Sequence, residues 1–425
     1  MANVLLLSPE GDGIPIAIKM AQEGHAVDIF LKNEKFKYSL QGFRNPKIIL
    51  NAPAGDGYDL IIADMVGLGE LCDKYKKQGK LVLGGGVFND KLELDRAYGA
   101  KVITSLTKAK EGEVVKITSK NDLMTLLKKS STAKVIKPLN NKSVSLTLVS
   151  QDETNSSLIS MVKAMGDKLI PCIVQDTIQG FEISTEGWFN GERFILPFNH
   201  TFERKRLMEG DKGPQTGCAG NVVFASNGDK LTDMLLLPLE PLLKKVKYLG
   251  PIDINCIISD KDVYFLEITS RLGYDAIQAF AELLKIPVYD FFFKIATKQG
   301  DLVEGRDFVN QPSIAIRLSM PPYPLREDVE KWRGVRVLKM SYGAAKHVWL
   351  ADVAKEEGIE VMAGVDGVIG CVTARGLGIK ECQKRAYRTI ENIVINPDVQ
   401  YRLDIGDQAL VDKESFDKWC RNANS

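Results

Sequence analysis

Short apolar runs alternate with amphipathic stretches over the first hundred positions. The runs at 4–7, 27–31, 60–63 and 80–83 predict strands, and the periodicity between the first two predicts a helix over 14–23 that Gly24 closes. This alternation is the pattern of a parallel α/β layer. A charged helix is expected from 90 to about 99, ahead of Lys101-Val-Ile-Thr104, then a helix over 121–129 and a strand over 133–138. Residues 172–184 read as strand, short connection, Gly180 and second strand. Residues 250–273 read as two strands joined by the turn Ser259-Asp-Lys-Asp262. From about residue 322 a further α/β pattern follows, with strands over 335–338 and 370–373 and a helix over 379–393. No repeat, low-complexity stretch or long linker interrupts the chain. The fold class is therefore α/β (α+β).

Two segments carry candidate chemistry. Residues 202–220 contain glycines at 210, 213, 217 and 220, with Pro214, Thr216, Lys205, Arg206 and Lys212 among them. Glycines permit positive φ and close backbone approach, and the basic side chains suit phosphate or carboxylate, so an anion-wrapping loop is expected here. In the 250–273 hairpin, Asp253 lies on the first strand, while Glu267 and Thr269, two apart on the second, share a face. Hard oxygen ligands, few in number, are what a magnesium ion bridging nucleotide phosphates requires. Two carboxylates on a solvated strand face are the alternative.

Bulk properties narrow the class without selecting an activity. The 425 residues are 44% hydrophobic and 26% charged, ordinary for a water-soluble globular protein of two to four domains. A net charge of +1 gives no reason to expect a nucleic acid or an anionic membrane as partner. No secretory segment or membrane-length apolar run is apparent, and seven cysteines without CxxC spacing read as reduced cytoplasmic thiols. With three histidines, zinc or histidine-based catalysis is not expected. The first strand runs into Glu10-Gly-Asp-Gly13 and a helix, a partial dinucleotide fingerprint in which Ile16 replaces the third glycine. A nicotinamide-dependent oxidoreductase is one alternative resting on that turn.

The run Glu209-Gly-Asp-Lys-Gly-Pro-Gln-Thr-Gly-Cys-Ala-Gly220 resembles the signature of glycinamide ribonucleotide synthetase (phosphoribosylamine–glycine ligase), and the hairpin resembles the magnesium-binding end of the ATP-grasp fold. The resemblance extends to Gly370-Cys-Val-Thr-Ala-Arg-Gly376, Glu381-Cys-Gln-Lys-Arg-Ala-Tyr387 and Tyr401-Arg-Leu-Asp-Ile-Gly406. It is strong over about 170–275 and 365–410. It implies an N-terminal pre-ATP-grasp α/β domain (1–100), a lid subdomain (101–185), a catalytic subdomain (186–320) and a C-terminal α/β domain (321–425).

The resemblance also implies ATP and Mg2+ (or Mn2+) as cofactors, with the metal on Asp253, Glu267 and Thr269. Lys137 and Lys142 would reach phosphates, backbone groups of Gln175, Asp176 and Ile178 would pair with adenine, and Glu182 would take the ribose hydroxyls. Arg271, Lys205, Arg206, Asp211 and Lys212 would be catalytic. Gly11, Gly13, Gly213, Pro214, Thr216, Gly217 and Asp275 would bind substrates, an amino acid and a phosphorylated amine. The protein would be a cytoplasmic monomer. Four departures stand out: no glycines in the lid turn at 139–145, Thr269 where an asparagine is expected, Tyr274 where an acid is expected with Asp275 one place on, and Pro321-Pro-Tyr-Pro324 in place of a glycine-rich turn. They leave open a ligase of the same fold joining a different acid and amine, or a non-catalytic nucleotide-binding module.

Overall fold

The computed structural model describes residues 1–139, 147–150, 152–325 and 327–422, and its chain divides into two units. The larger comprises residues 1–108, 182–255 and 267–425; the smaller comprises 109–181 and 256–266.

The larger unit opens with a five-stranded parallel sheet of β1 (Asn3–Leu7), β2 (Ala26–Phe30), β3 (Lys47–Ile49), β4 (Leu60–Ala63) and β5 (Val82–Leu83), in the order β3-β2-β1-β4-β5. Helices α1 (Ile14–Gln22) and α2 (Gly69–Lys77) return the chain between strands. β1 and β4 are almost wholly buried, which is why they read as continuous apolar runs. The order reverses between β1 and β4, so the turn after β1 opens at the carboxyl end of the sheet, where such folds bind ligands. Residues 87–106 form two helices, α3 (Val87–Leu94) and α4 (Arg96–Leu106), broken at Asp95, whose side chain caps the second through Tyr98 N–H.

The smaller unit is a four-stranded antiparallel sheet, β6 (Val114–Ile117), β7 (Lys134–Pro138), β8 (Leu148–Val149) and β9 (Cys172–Asp176), in the order β6-β9-β7-β8, with α5 (Lys120–Lys129) and α6 (Ser156–Met165). Its core gathers Leu123, Leu127, Ile136, Leu158, Val162 and Val174.

Back in the larger unit, β10 (Phe181–Phe189), β11 (Phe194–Met208) and β12 (Lys212–Ser226) form a meander, followed by α7 (Lys230–Leu235), α8 (Glu240–Lys245) and the hairpin β13 (Gly250–Ile258) and β14 (Val263–Thr269). Helices α9 (Ala276–Leu283) and α10 (Val288–Ala296) lead to β15 (Pro312–Ser319), the short strands β16 (Val348–Leu350), β17 (Val353–Glu356) and β18 (Ile359–Met362), then β19 (Val368–Arg375), α11 (Ile379–Ile393) and α12 (Asp407–Arg421). The sheet order is β14-β13-β10-β11-β12-β15-β19-β16, and α9 and α11 pack on β15 and β19. The hairpin is divided by residue, 256–266 belonging to the smaller unit and the flanking residues to the larger.

Two expectations need correction. Residues 202–220 are not a wrapping loop but the ends of two long antiparallel strands, turning only at 209–211. The glycines serve the strand itself: Arg204 pairs with Gly220 but Arg206 pairs with Gln215, so two steps along β11 face five along β12, and residues 216–219 bulge opposite Lys205. The expected strand at 335–338 reduces to one bridge between Leu338 and Val394, because the proline-rich turn before it and Gly334 at φ +77° leave no extended partner edge.

Gly370 shows how tightly the C-terminal edge is closed. It stands at φ +143°, and a Cβ there would lie 1.9 Å from the Trp349 carbonyl oxygen, in the β16–β19 pairing. Gly370→Ala is expected to cost about 2–4 kcal/mol, read as a fall in melting temperature of several degrees.

Candidate active site

The pleat places Glu203 and Lys205 on one face of β11, beside Glu182 at the start of β10 and Glu267 at the end of β14. The Lys205 ammonium lies 2.7 Å from Glu267 Oε1, 3.6 Å from Glu203 Oε2 and 3.7 Å from Glu182 Oε1. Burial alone would depress its pKa, but three carboxylates hold it well above the usual lysine range. Glu267 is held down at about 2, chiefly by Lys205. Asn255 Nδ2 donates to Glu182 Oε1 at 2.7 Å, so one oxygen of the proposed sugar clamp is already oriented.

Asp253 sits on β13 behind this cluster. Its carboxyl is pushed up to about 7 by burial and by the charges of Glu203 and Glu267. Its Oδ1 is enclosed and lacks a hydrogen-bond partner among the described residues. An orphaned hard oxygen beside surplus negative charge fits a divalent cation. Among the described residues no three acidic, imidazole or thiol groups converge as a closed metal cage. Magnesium bound with a nucleotide takes one or two carboxylates and leaves other positions to phosphate and water.

A second cluster lies where the 270–275 turn meets the turn after β1. Arg271 Nε donates to Glu93 Oε1 at 3.1 Å and Nη1 to the Leu272 carbonyl at 2.9 Å, with the guanidinium 4.4 Å from the Tyr274 ring centroid. Glu93 also accepts from Ser270 N–H at 2.8 Å, fixing the strand end from α3. Tyr274 reaches Asp12 Oδ2 at 3.3 Å. Asp275, left-handed at φ +54°, accepts from Arg317 Nε at 2.7 Å; both side chains are at most 10% exposed. A Cβ on Gly217 would lie 3.9 Å from Tyr274 and 4.0 Å from Arg317, so the glycine bulge abuts this pocket. Removing one member of a buried ion pair strands the other. Asp275→Asn is therefore expected to lower stability by about 3 kcal/mol, measurable as a reduced urea midpoint, whereas Asp275→Glu should recover part of it.

Other expected site residues are placed differently. Asp211 is at the β11–β12 tip, bound by Arg204 (3.1 Å) and the nearly inaccessible Arg402 (2.7 Å), which also grips Asp404. The tip is thereby tied to the segment before α12. Arg206 donates to the Gly213 carbonyl at 2.8 Å, and Thr216 Oγ1 to the Lys205 carbonyl at 2.7 Å. Gly213, Pro214 and Lys212 are exposed at the same end. In the turn after β1, Gly13 N–H donates to Ser8 Oγ and Gly11 N–H to the Ser8 carbonyl. A Cβ on Gly11 would strike Phe36, and one on Gly13 would strike Leu6 and Asp64, so close packing accounts for both glycines. Thr269 is half-buried at the end of β14.

Within the smaller unit, Lys137 lies on β7 opposite Ile173, and Gln175 and Asp176 end the central strand β9. The Asp176 carboxylate is bound by Lys134 at 2.5 Å and by Thr132. Thr177 N–H donates to the Ala133 carbonyl, and Ile178 follows in the connection to β10. Lys142 lies outside the described residues.

Sequence reasoning did not find Glu93, Glu203 or Arg317 as site residues. Arg317 left a signal, a lone charge in the apolar run of β15; Glu93, on a charged helix, left none. Glu186, 6% exposed, was also passed over. Burial and then the Asp253 charge push its carboxyl up to about 8. The folded form thus holds its proton while the unfolded form ionises near 4.5, so stability declines as pH rises from about 4.5 to 8. Glu186→Gln should remove this decline, raising the melting temperature at pH 8 and leaving it nearly unchanged at pH 5.

Residues 96–273, which carry the Lys205 cluster, Asp253 and Arg271, match the family model of the phosphoribosylglycinamide synthetase ATP-grasp (A) domain. The phosphoribosylamine–glycine ligase of Clostridium acetobutylicum is 24% identical over 352 residues, covering 79% of this chain and 81% of that protein. The one from Helicobacter pylori is 26% identical over 361 residues, covering 81% and 80%. The 96–273 segment is thus similar to that ATP-grasp domain, and the wider chain is similar to phosphoribosylamine–glycine ligases. The crystal structure of phosphoribosylamine–glycine ligase from Thermotoga maritima shares the fold at a TM-score of 0.62 and 20% identity, over 95% of this chain and all of that one. Biotin carboxylase from Campylobacter jejuni shares it at 0.58 and 13%, over 94% and 93%. The same fold is thus shared by a ligase and a carboxylase, so the architecture alone does not fix the substrates.

Proposed function

We propose that the protein is an ATP-dependent ligase that joins the carboxylate of an amino acid to an amine, with glycine and 5-phosphoribosylamine as the substrate pair. The observation that carries this reading is the charge arrangement around Lys205: an ammonium among three carboxylates, with the Arg271 guanidinium, paired to Glu93, after the end of β14. A carboxylate is a poor acyl donor because its leaving group would be oxide. Transfer of the ATP γ-phosphoryl to it gives an acyl phosphate and ADP, and attack by the amine then expels phosphate. Negative charge moves from the phosphate chain to the acyl phosphate in the first step. Lys205 and Arg271 are the fixed cations placed to follow it. Asp253, Glu267 and Thr269 would hold magnesium, which supplies charge neutralisation on the nucleotide when bound. Asp275 and Arg317 orient the reacting acid, Arg317 as the carboxylate-matching fork. A glycosylamine is largely neutral near pH 7, so the amine needs no strong general base, in keeping with a site without histidine.

ADP release tests the reading, with phosphoribosylamine generated in the mixture and glycine or another amino acid added in parallel. Turnover requiring both glycine and the amine supports it; ADP release independent of the amine overturns it. A second reading, a ligase of the same fold for a different acid and amine, is favoured by Tyr274, whose ring fills the space between Arg271 and Arg317 and whose hydroxyl faces Asp12. It predicts turnover with another amino acid and none with glycine.

A further inference from the structure

A cleft of about 390 Å³ opens between α11, the end of β19 and the last turn of α9, in the larger unit. It lies away from the Arg271–Asp275 turn: α9 begins just after Asp275 and carries Glu282 at its far end, and eight helical residues span roughly 12 Å. Arg385, Arg388 and Thr389 stand at i, i+3 and i+4 on α11 and so face the cleft from one stripe. Arg375, at the end of β19, and His347 complete the wall.

The charge is lopsided. Three guanidinium groups and an imidazole line the cleft with one acid, Glu282, and that acid is already engaged. Its Oε2 accepts from Thr373 Oγ1 at 2.8 Å, its Oε1 lies 2.9 Å from His347 Nδ1, and its side chain is 8% exposed. The arginines are partly oriented by the backbone. Arg375 Nη1 donates to the Glu282 carbonyl at 2.8 Å and Arg385 Nη1 to the Arg375 carbonyl at 2.8 Å. Arg385 Nη2 is also paired with Glu381 at 2.5 Å. Arg388 has no side-chain partner among the described residues and is exposed. Each anchored guanidinium retains further donors, and like charges gathered in a concave wall repel unless an anion sits among them. A tetrahedral dianion meets several guanidinium forks at once, which a single carboxylate does not. The volume falls within the range of small-molecule sites.

We propose that this cleft is a binding site for a small molecule bearing a phosphate group, separate from the site that forms the amide. Inorganic pyrophosphate titrated calorimetrically into the full chain at about 0.15 M salt, a strength that screens exposed charge beyond about 8 Å, is the test. The expected result is saturable binding that Arg388→Glu weakens at least tenfold, while ADP binding to the same variant stays within twofold of the parent. ADP binding also reports that the variant is folded. A parallel Arg385→Ala variant, which keeps the Arg388 charge, should weaken pyrophosphate by a smaller factor. Pyrophosphate binding insensitive to Arg388→Glu, or no binding at all, would overturn the proposal. Citrate binding as tightly as pyrophosphate with the same sensitivity would overturn the phosphate assignment, since it would mark an unselective polyanion surface.

Discussion

Glu267→Gln is expected to reduce ADP formation at least about a hundredfold while leaving the protein folded. Glutamine preserves the shape and one acceptor oxygen for Lys205, so the 2.7 Å contact can persist as a neutral hydrogen bond. What disappears is the negative charge that fixes Lys205 beside β14 and that, on the proposed function, would serve as a hard ligand for magnesium. The fold should tolerate this because Lys205 retains Glu203 and Glu182 within 4 Å, and Glu267 is 46% exposed at the side chain. Its depressed pKa contributes stability present above about 4.5 and lost as pH falls toward 2. Solvent screening keeps that contribution small. Steady-state ADP release and a melting curve on the same preparation separate the outcomes. Full turnover in a well-folded variant would sink the assignment of Glu267 to the metal.

Arg271→Met should lower kcat by about a hundredfold to a thousandfold, with a smaller change in KM for the amino acid. The guanidinium is held from three directions: Glu93, the Leu272 carbonyl and the face of Tyr274. On the proposed function, that rigidity would let it meet charge developing on the transferred phosphoryl group without reorganising. Methionine fills the volume but leaves Glu93 with only its Ser270 contacts, so a stability loss of about 1–3 kcal/mol is expected too. Arg271→Lys distinguishes charge from shape. If electrostatics alone mattered, lysine would restore most of kcat; if the planar fork is required, it restores little. An Arg271→Met enzyme with unchanged kcat would remove this residue from the chemistry.

Both predictions rest on side chains singled out in the sequence, Glu267 as an acid on a hairpin strand with a solvated face as the alternative, and Arg271 through the resemblance. The parallel layer at the start of the chain was legible because β1 and β4 are buried on both faces, so apolar runs mark them plainly. The 202–220 segment was misread because glycine content signals backbone freedom without saying what uses it. Here it supports a bulge in a strand, and Lys205 is placed by that bulge. The partners of Arg271 and Asp275 were invisible for a different reason. Glu93 is 178 residues from Arg271 and Arg317 is 42 from Asp275, and no local periodicity encodes a pairing at such separations. Asp211 shows the converse: an acid inside a recognisable motif that the structure commits to Arg204 and Arg402.

The division of the chain has a consequence for synthesis. The apolar cluster of the smaller unit lies entirely within residues 109–181, so it can collapse soon after it leaves the ribosome. The eight-stranded sheet cannot close until β19 and β16 have emerged, because β15 pairs with β19 and β19 with β16. For much of translation β10, β11 and β12 therefore present an open edge. Nascent chains stalled before residue 368 should be the form most prone to strand-mediated association, and the period before that point is when chaperone assistance matters most.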